Sequence, residues 1–216
     1  VAQGYESLSG MVDVRMKEPD AMDRLYANFY LSGYMEKQLN LAYADQVGKG
    51  WNTMLAGHVT QPSGRYDRAG DSFLDMPLVT RYSMLNKWKF SDEDSPLAVL
   101  ATVKYTREDR LCGAHLLALH TDAGTQRRYG QTVNNDRVEA YAKTSWTLGE
   151  GTEVSASVSG AHHLQNSWFG LTRYDGNQNT LYAGTQFRTE LLEEQAFLTT
   201  GFSYRLENIR ESIELG

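Results

Sequence analysis

The stretch LAVLATVKYTRED, Leu97–Asp109, decides the fold class. Leu97, Val99, Ala101, Val103 and Tyr105 fall on one side of an extended chain and Ala98, Thr102 and Lys104 on the other, because successive strand side chains point to opposite faces. A period of two is the signature of a strand with one apolar face. Working outward, the acidic turn SDEDSP precedes this stripe, and RYSMLNKWKF before the turn reads as its antiparallel neighbour.

The same pattern recurs along the chain. RLYANFYLSGYM sets Leu25, Ala27, Phe29 and Leu31 opposite Tyr26, Asn28, Tyr30 and Ser32, and KQLNLAYADQV sets Leu39, Leu41 and Tyr43 opposite Gln38, Asn40 and Ala42. WNTMLAGHVTQ, RVEAYAKTSWTLG, TEVSASVSGAHHL, TLYAGTQFRTEL and AFLTTGFSYRLENIRES continue it, giving about nine strands after a short first one in MVDVRMKEP, which Pro19 ends. SWFGLTRYDGNQN reads as a loop, and a short helix is expected across Ala114–Leu119. Short turns (GKG, SDEDSP, GEG and one near Glu193) alternate with mostly longer loops. That asymmetry is the habit of a transmembrane barrel, with short turns on the periplasmic side and long loops outside. Tyr34, Trp51, Trp88, Tyr105 and Trp146 sit near strand ends, as girdle aromatics do. Alternation by itself requires one apolar face only, which a lipocalin-like barrel or a two-sheet sandwich buries inside.

Composition agrees with strands and narrows function. Tyr reaches 13, Gly 19 and Pro only 4, which favours strands and reverse turns. A formal charge of -6 offers no basic field for nucleic acid. The single Cys112 excludes an intrachain disulfide. No apolar run is long enough for a helical membrane span, whereas a barrel strand needs only about 9 to 11 alternating residues. The opening VAQGYESLSG has neither a basic leader nor an apolar core, so no signal peptide is expected within it. No nucleophile elbow, zinc-protease helix or phosphate loop is present, and the chain reads as a non-enzyme.

The whole pattern resembles the TonB-dependent outer-membrane receptors, particularly those of the Bacteroidetes type. The likeness rests on QGYESLSGMVDVRMKEP, similar to the closing segment of a plug domain, and on DRAGDSFLDMPLVTRYSMLNKWKF, similar to an extracellular loop with its descending strand. The resemblance implies an all-β, antiparallel transmembrane β-barrel. Residues 1–20 would end the plug, residues near 20–24 would be the hinge, and 21–216 would be the first part of a wall of 22 strands. It implies a bacterial outer-membrane receptor and active transporter for a scarce bulky nutrient such as cobalamin, haem or a siderophore. Its partners would be outer-membrane lipid, the remainder of barrel and plug, the energising TonB complex and a surface lipoprotein. About nine strands cannot close such a wall, so a fragment is expected. The rivals are a small closed barrel of eight or ten strands, a porin-like passive barrel and a soluble or cell-surface β binding module.

Two loops carry candidate sites. In YDRAGDSFLDMP, Asp67, Asp71 and Asp75 fall at positions 1, 5 and 9 of a calcium loop, with the Phe73 carbonyl at position 7 and Gly70 for the sharp bend. Ala69 occupies position 3, where a ligand belongs, so calcium would be structural and weakly held. In SWFGLTRY, Trp168, Phe169, Arg173 and Tyr174 combine ring faces with a cation able to stack on and pair with a planar ligand. His162 and His163 should face opposite sides of a strand and cannot chelate together; His115 and His120 fit no helical ligand pair.

Overall fold

Period-two segments rich in aromatic and β-branched residues become strands when each can pair on both sides, and here they form a single continuous sheet. The computed structural model describes residues 16–116, 122, 124–149, 151–191 and 196–216. Its strands are β1 (Leu25–Leu31), β2 (Lys37–Gly48), β3 (Trp51–Gln61), β4 (Leu78–Ser91), β5 (Leu97–Gly113), β6 (Gly130–Gly149), β7 (Thr152–Phe169), β8 (Thr172–Leu191) and β9 (Ala196–Glu214). They form one nine-stranded antiparallel sheet in sequence order. A 3-10 turn over Pro19–Ala21 precedes β1.

The sheet is open. β1 pairs only with β2 and β9 only with β8, so the contact between residues 25–33 and 197–206 that would make a small closed barrel is absent. A second sheet is also absent among the described residues, so nothing in them covers either face as a sandwich would.

Several expectations need correction. SWFGLTRYDGNQN is a tight hairpin instead of a loop: β7 continues to Phe169, Gly170 turns at φ 63, and β8 starts at Thr172. β5 and β6 likewise run on to Gly113 and back from Gly130. These extensions carry polar side chains on both faces, for example Asn134 opposite Asn166 and Asn135 opposite Gln165. The backbone ladder needs no apolar stripe to persist, which is why alternation underestimates strand length there. Met16 and Lys17 lie outside any strand, and Ala114 forms an isolated bridge with Phe73 instead of beginning a helix. The rest of the expected MVDVRMKEP strand up to Arg15, residues 117–119 of the expected helix, His120 and the turn at Glu193 lie outside the described residues. The connections 49–50 and 92–96 are short at one end of the sheet, whereas the other end carries the long 62–77 and 114–129 beside the five-residue 32–36 and the tight 170–171 turn.

Ladder partners run level through Trp51, Phe90, Val99, Thr144, Ala156, Thr185 and Phe202. Trp51 opens β3, whereas Phe202 stands six residues above Ala196, where β9 opens. The lower ends therefore step down by about one residue per strand. Where β5 hands over to the second long loop, Gly113 has φ 121, and a Cβ there would lie 2.5 Å from the Gly130 Cα. Glycine alone fits that approach.

Candidate functional site

Pairing assigns every strand residue to a face. The Leu97, Val99, Ala101, Val103 and Tyr105 stripe of β5 continues sideways into Trp88, Met84 and Phe90 of β4 and Val138, Ala142 and Trp146 of β6. It extends to Phe202, Tyr204 and Leu206 on β9. Many of these side chains are exposed, Val103 at 55% and Phe202 at 70%, while Leu97, Val99, Ala101, Phe90 and Ala142 are half-buried by their neighbours in the sheet. Trp51 packs edge-on against Trp88 with ring centroids 6.5 Å apart, and Phe90 lies at 5.0 Å from Trp51. The apolar face is thus uncovered among the described residues.

The opposite face is polar. A groove of about 500 Å³ runs along it from Leu85 on β4 to Arg205 on β9, lined by Lys104, Arg137, Glu139 and His163 among others. Glu139 accepts from Arg137 Nη2 at 2.8 Å and stands 3.7 Å from Lys104 Nζ. His163 Nε2 lies 3.3 Å from Asn135 Oδ1. Nearer β2, the apolar cluster Ala44, Met54 and Leu85 is sealed by Met22. The groove offers paired cations, carboxylates and amides, a surface suited to hydrogen bonding.

Above the grooved region three connections interlock. Phe73 bridges Ala114, Leu74 donates to the Gly113 carbonyl at 2.9 Å, and His115 donates to Ser72 at 2.8 Å. The Arg68 guanidinium stacks over Tyr34 at 4.5 Å and Tyr66 at 5.3 Å, tying 32–36 to 62–77. Within this crown the expected calcium carboxylates are busy with backbone. Asp67 Oδ1 accepts from the amides of Gly70 at 2.7 Å and Asp71 at 3.1 Å, and its Oδ2 from Ser72 at 2.8 Å. Asp71 Oδ1 accepts from the Phe73 amide at 2.9 Å, and Asp75 Oδ2 from the Arg68 amide at 2.9 Å. A cation entering here would have to draw Asp67 off three amides. Among the described residues no three His, Cys, Asp or Glu side chains are grouped to hold a metal.

The four hairpin candidates divide by the pleat. Trp168 and Arg173 are ladder partners on the apolar-stripe side, with the guanidinium 5.9 Å from the ring centroid. Phe169 and Tyr174 point to the grooved side, opposite Thr172 and Ser167. Trp168 is engaged from above, since a Cβ on Gly124 would meet its ring at 2.6 Å. Arg173 Nε donates to Asp175 at 2.8 Å and Tyr174 to Glu211 at 2.7 Å, leaving Phe169, 41% exposed, as the open ring of the four. His162 and His163 do take opposite faces; His162 Nδ1 lies 2.7 Å from Asn179 Oδ1. His115 Nε2 sits 3.3 Å from the Arg65 carbonyl.

Two groups escaped the sequence reading. Glu108 is buried on the grooved face, receiving Arg81 Nε at 2.6 Å and Arg110 Nη2 at 2.8 Å. Lys87 and Lys89 bind the segment before β1, with Lys89 Nζ 2.7 Å from Asp20 Oδ2. Register would have revealed the first, because Arg81 lies directly opposite Glu108. No protein-family model, curated protein or solved structure matches this chain.

Proposed function

We propose that this chain is part of the wall of a bacterial outer-membrane β-barrel receptor of the TonB-dependent kind, which takes up a scarce, bulky nutrient. One observation carries the reading: the apolar face runs across consecutive antiparallel strands and is exposed, while the polar face holds the groove. A patch of that extent is far larger than a soluble monomer usually leaves to water, and lipid is the solvent that suits it. The interlocked loops at one end and short turns at the other suit an outside and a periplasmic side. Unpaired backbone along β1 and β9 is costly in a bilayer, so further strands from outside these residues would complete the wall. In this reading residues up to Asp20 end a plug, and the grooved face lines the lumen through which cargo passes once TonB displaces that plug. The crown, with Phe169 open beside it, is the first surface the nutrient meets, in company with a surface lipoprotein.

The test places single nitroxide labels at Val103 and Thr102, through Val103→Cys and Thr102→Cys in a Cys112→Ser chain reconstituted in lipid vesicles. Oxygen should relax the Val103 label and a water-soluble nickel chelate the Thr102 label. Equal access of the chelate to both would overturn the membrane reading and favour a soluble β module.

A further inference from the structure

The segment entering β1 is fastened at two points of different character. Downstream the fastening is continuous with the fold. The Ala44 amide donates to the Arg24 carbonyl at 3.0 Å, and Arg24 Nη2 donates to Asp45 at 2.9 Å. Met22 packs on Ala44, Met54 and Leu85. Upstream the fastening adds two lysine side chains to the burial of Pro19. Lys87 and Lys89, two apart on β4, both rise from the grooved face because side chains two apart share a face. The Lys89 ammonium is held between Glu18 and Asp20, the latter at 2.7 Å, and Lys87 Nζ donates to the Lys17 carbonyl at 3.3 Å.

The geometry of the segment explains how two carboxylates reach one ammonium. Pro19 lies at the first position of the 3-10 turn and is buried, and the Ala21 amide closes back on the Glu18 carbonyl at 3.1 Å. The turn brings Glu18 and Asp20, on either side of Pro19, round to Lys89. Proline's fixed φ suits that first position, where an amide donor is not needed. The carboxylates remain half open to solvent, at 47% and 39% exposure. Ion pairs so exposed are weak and screened by salt. The apolar packing and the ladder downstream are not screened in that way.

We propose that residues 17–22 are a strap with a releasable buckle at Lys89 and a fixed anchor at Met22, so that loss of the charge pairs alone frees the chain upstream of Met22 while the sheet stays intact. The strap thus sets where motion of any preceding segment stops. Its inner end is the junction of Met22 with Ala44, Met54 and Leu85. These contacts all lie within this chain and are the same whether the bare face meets lipid or another protein.

The experiment attaches a nitroxide at Lys17→Cys, with a control at Asp23→Cys, in the full chain carrying Cys112→Ser. The Lys17 label should be immobile in low salt and several-fold more mobile after Lys89→Met, with the Asp23 label unchanged. Glu18→Gln with Asp20→Asn, which alters no residue of the sheet, should give the same release, and Glu18→Lys with Asp20→Lys and Lys89→Glu should restore immobility. A Lys17 label that stays immobile in the Glu18→Gln, Asp20→Asn chain overturns the buckle. Release of the Asp23 label together with the Lys17 label overturns the anchor.

Discussion

The lower and upper halves of the same strands carry the same ladder but different chemistry. In β5, Leu97–Tyr105 keeps an apolar stripe on one face, whereas Arg107, Asp109 and Arg110 beyond it make both faces polar up to the crown. β6 mirrors this with Val138, Ala140 and Ala142 below and Asn134 and Asp136 above on that face. Pairing is indifferent to the change. What alternates in sequence is the polarity of each face of the sheet, and what makes a strand is the partner beside it. The lower half has unlike faces, one apolar and one polar; the upper half has like ones.

The sharpest way to break this comparison is to put one charge on the same face in each half. Ala101→Arg, mid-stripe, is expected to cost about 2–4 kcal/mol in a bilayer, and Asn134→Arg, above the stripe, about 0–1 kcal/mol. Denaturant unfolding from lipid vesicles reads both, and equal costs would erase the distinction between halves.

A smaller effect belongs to the crown. Asp67→Ala removes the acceptor for three amides and should loosen 68–75 by about 1–2 kcal/mol, seen as faster hydrogen exchange at Gly70, Asp71 and Ser72 with the lower strands unaffected. Calcium added to the unsubstituted chain should leave those amides as they were, since the carboxylate already serves them. Slower exchange in calcium would mean the ion displaces that arrangement.

The smallest effect is the pH response of the strap. Burial raises the Asp20 carboxyl, but its hydrogen bond to Lys89, a bond to its own amide and the charges of Lys89 and Lys87 together hold it below 3.8. A carboxyl lowered in the folded state contributes stability above its unfolded pKa and loses it as pH falls through the folded one. The nitroxide at position 17 should therefore stay immobile from neutral pH to about 4 and loosen only below it. Loosening at neutral pH would show that burial, not Lys89, governs Asp20.

The strand count and the stripe of β5 were legible because one apolar and one polar face leave a period of two in the sequence. The upper extensions were not, since Asn134, Asn135, Gln165 and Asn166 look like loop residues until their partners are known. The same ignorance of register hid Arg81 opposite Glu108 and divided Trp168 from Phe169, adjacent in sequence yet on opposite faces. The aspartate spacing suggested ligands because sequence shows carboxylates without showing which amides they will meet. Lys89 and Asp20 were invisible as a pair, being brought together only by folding of the segment onto β4.

The level line from Trp51 to Phe202 has a geometric corollary. At the lower ends, a step of one residue per strand is a displacement of about 3.3 Å along the chain for each 4.8 Å step sideways, a slope of about 35° across that edge of the sheet. Seen across that slope, the stripe from Leu97 to Tyr105 is about 22 Å tall, close to the roughly 25 Å apolar band of an outer-membrane wall. The slope of that edge and the height of the apolar band both follow from the register, and a single-residue slip between two neighbours would carry one strand's stripe to the opposite face.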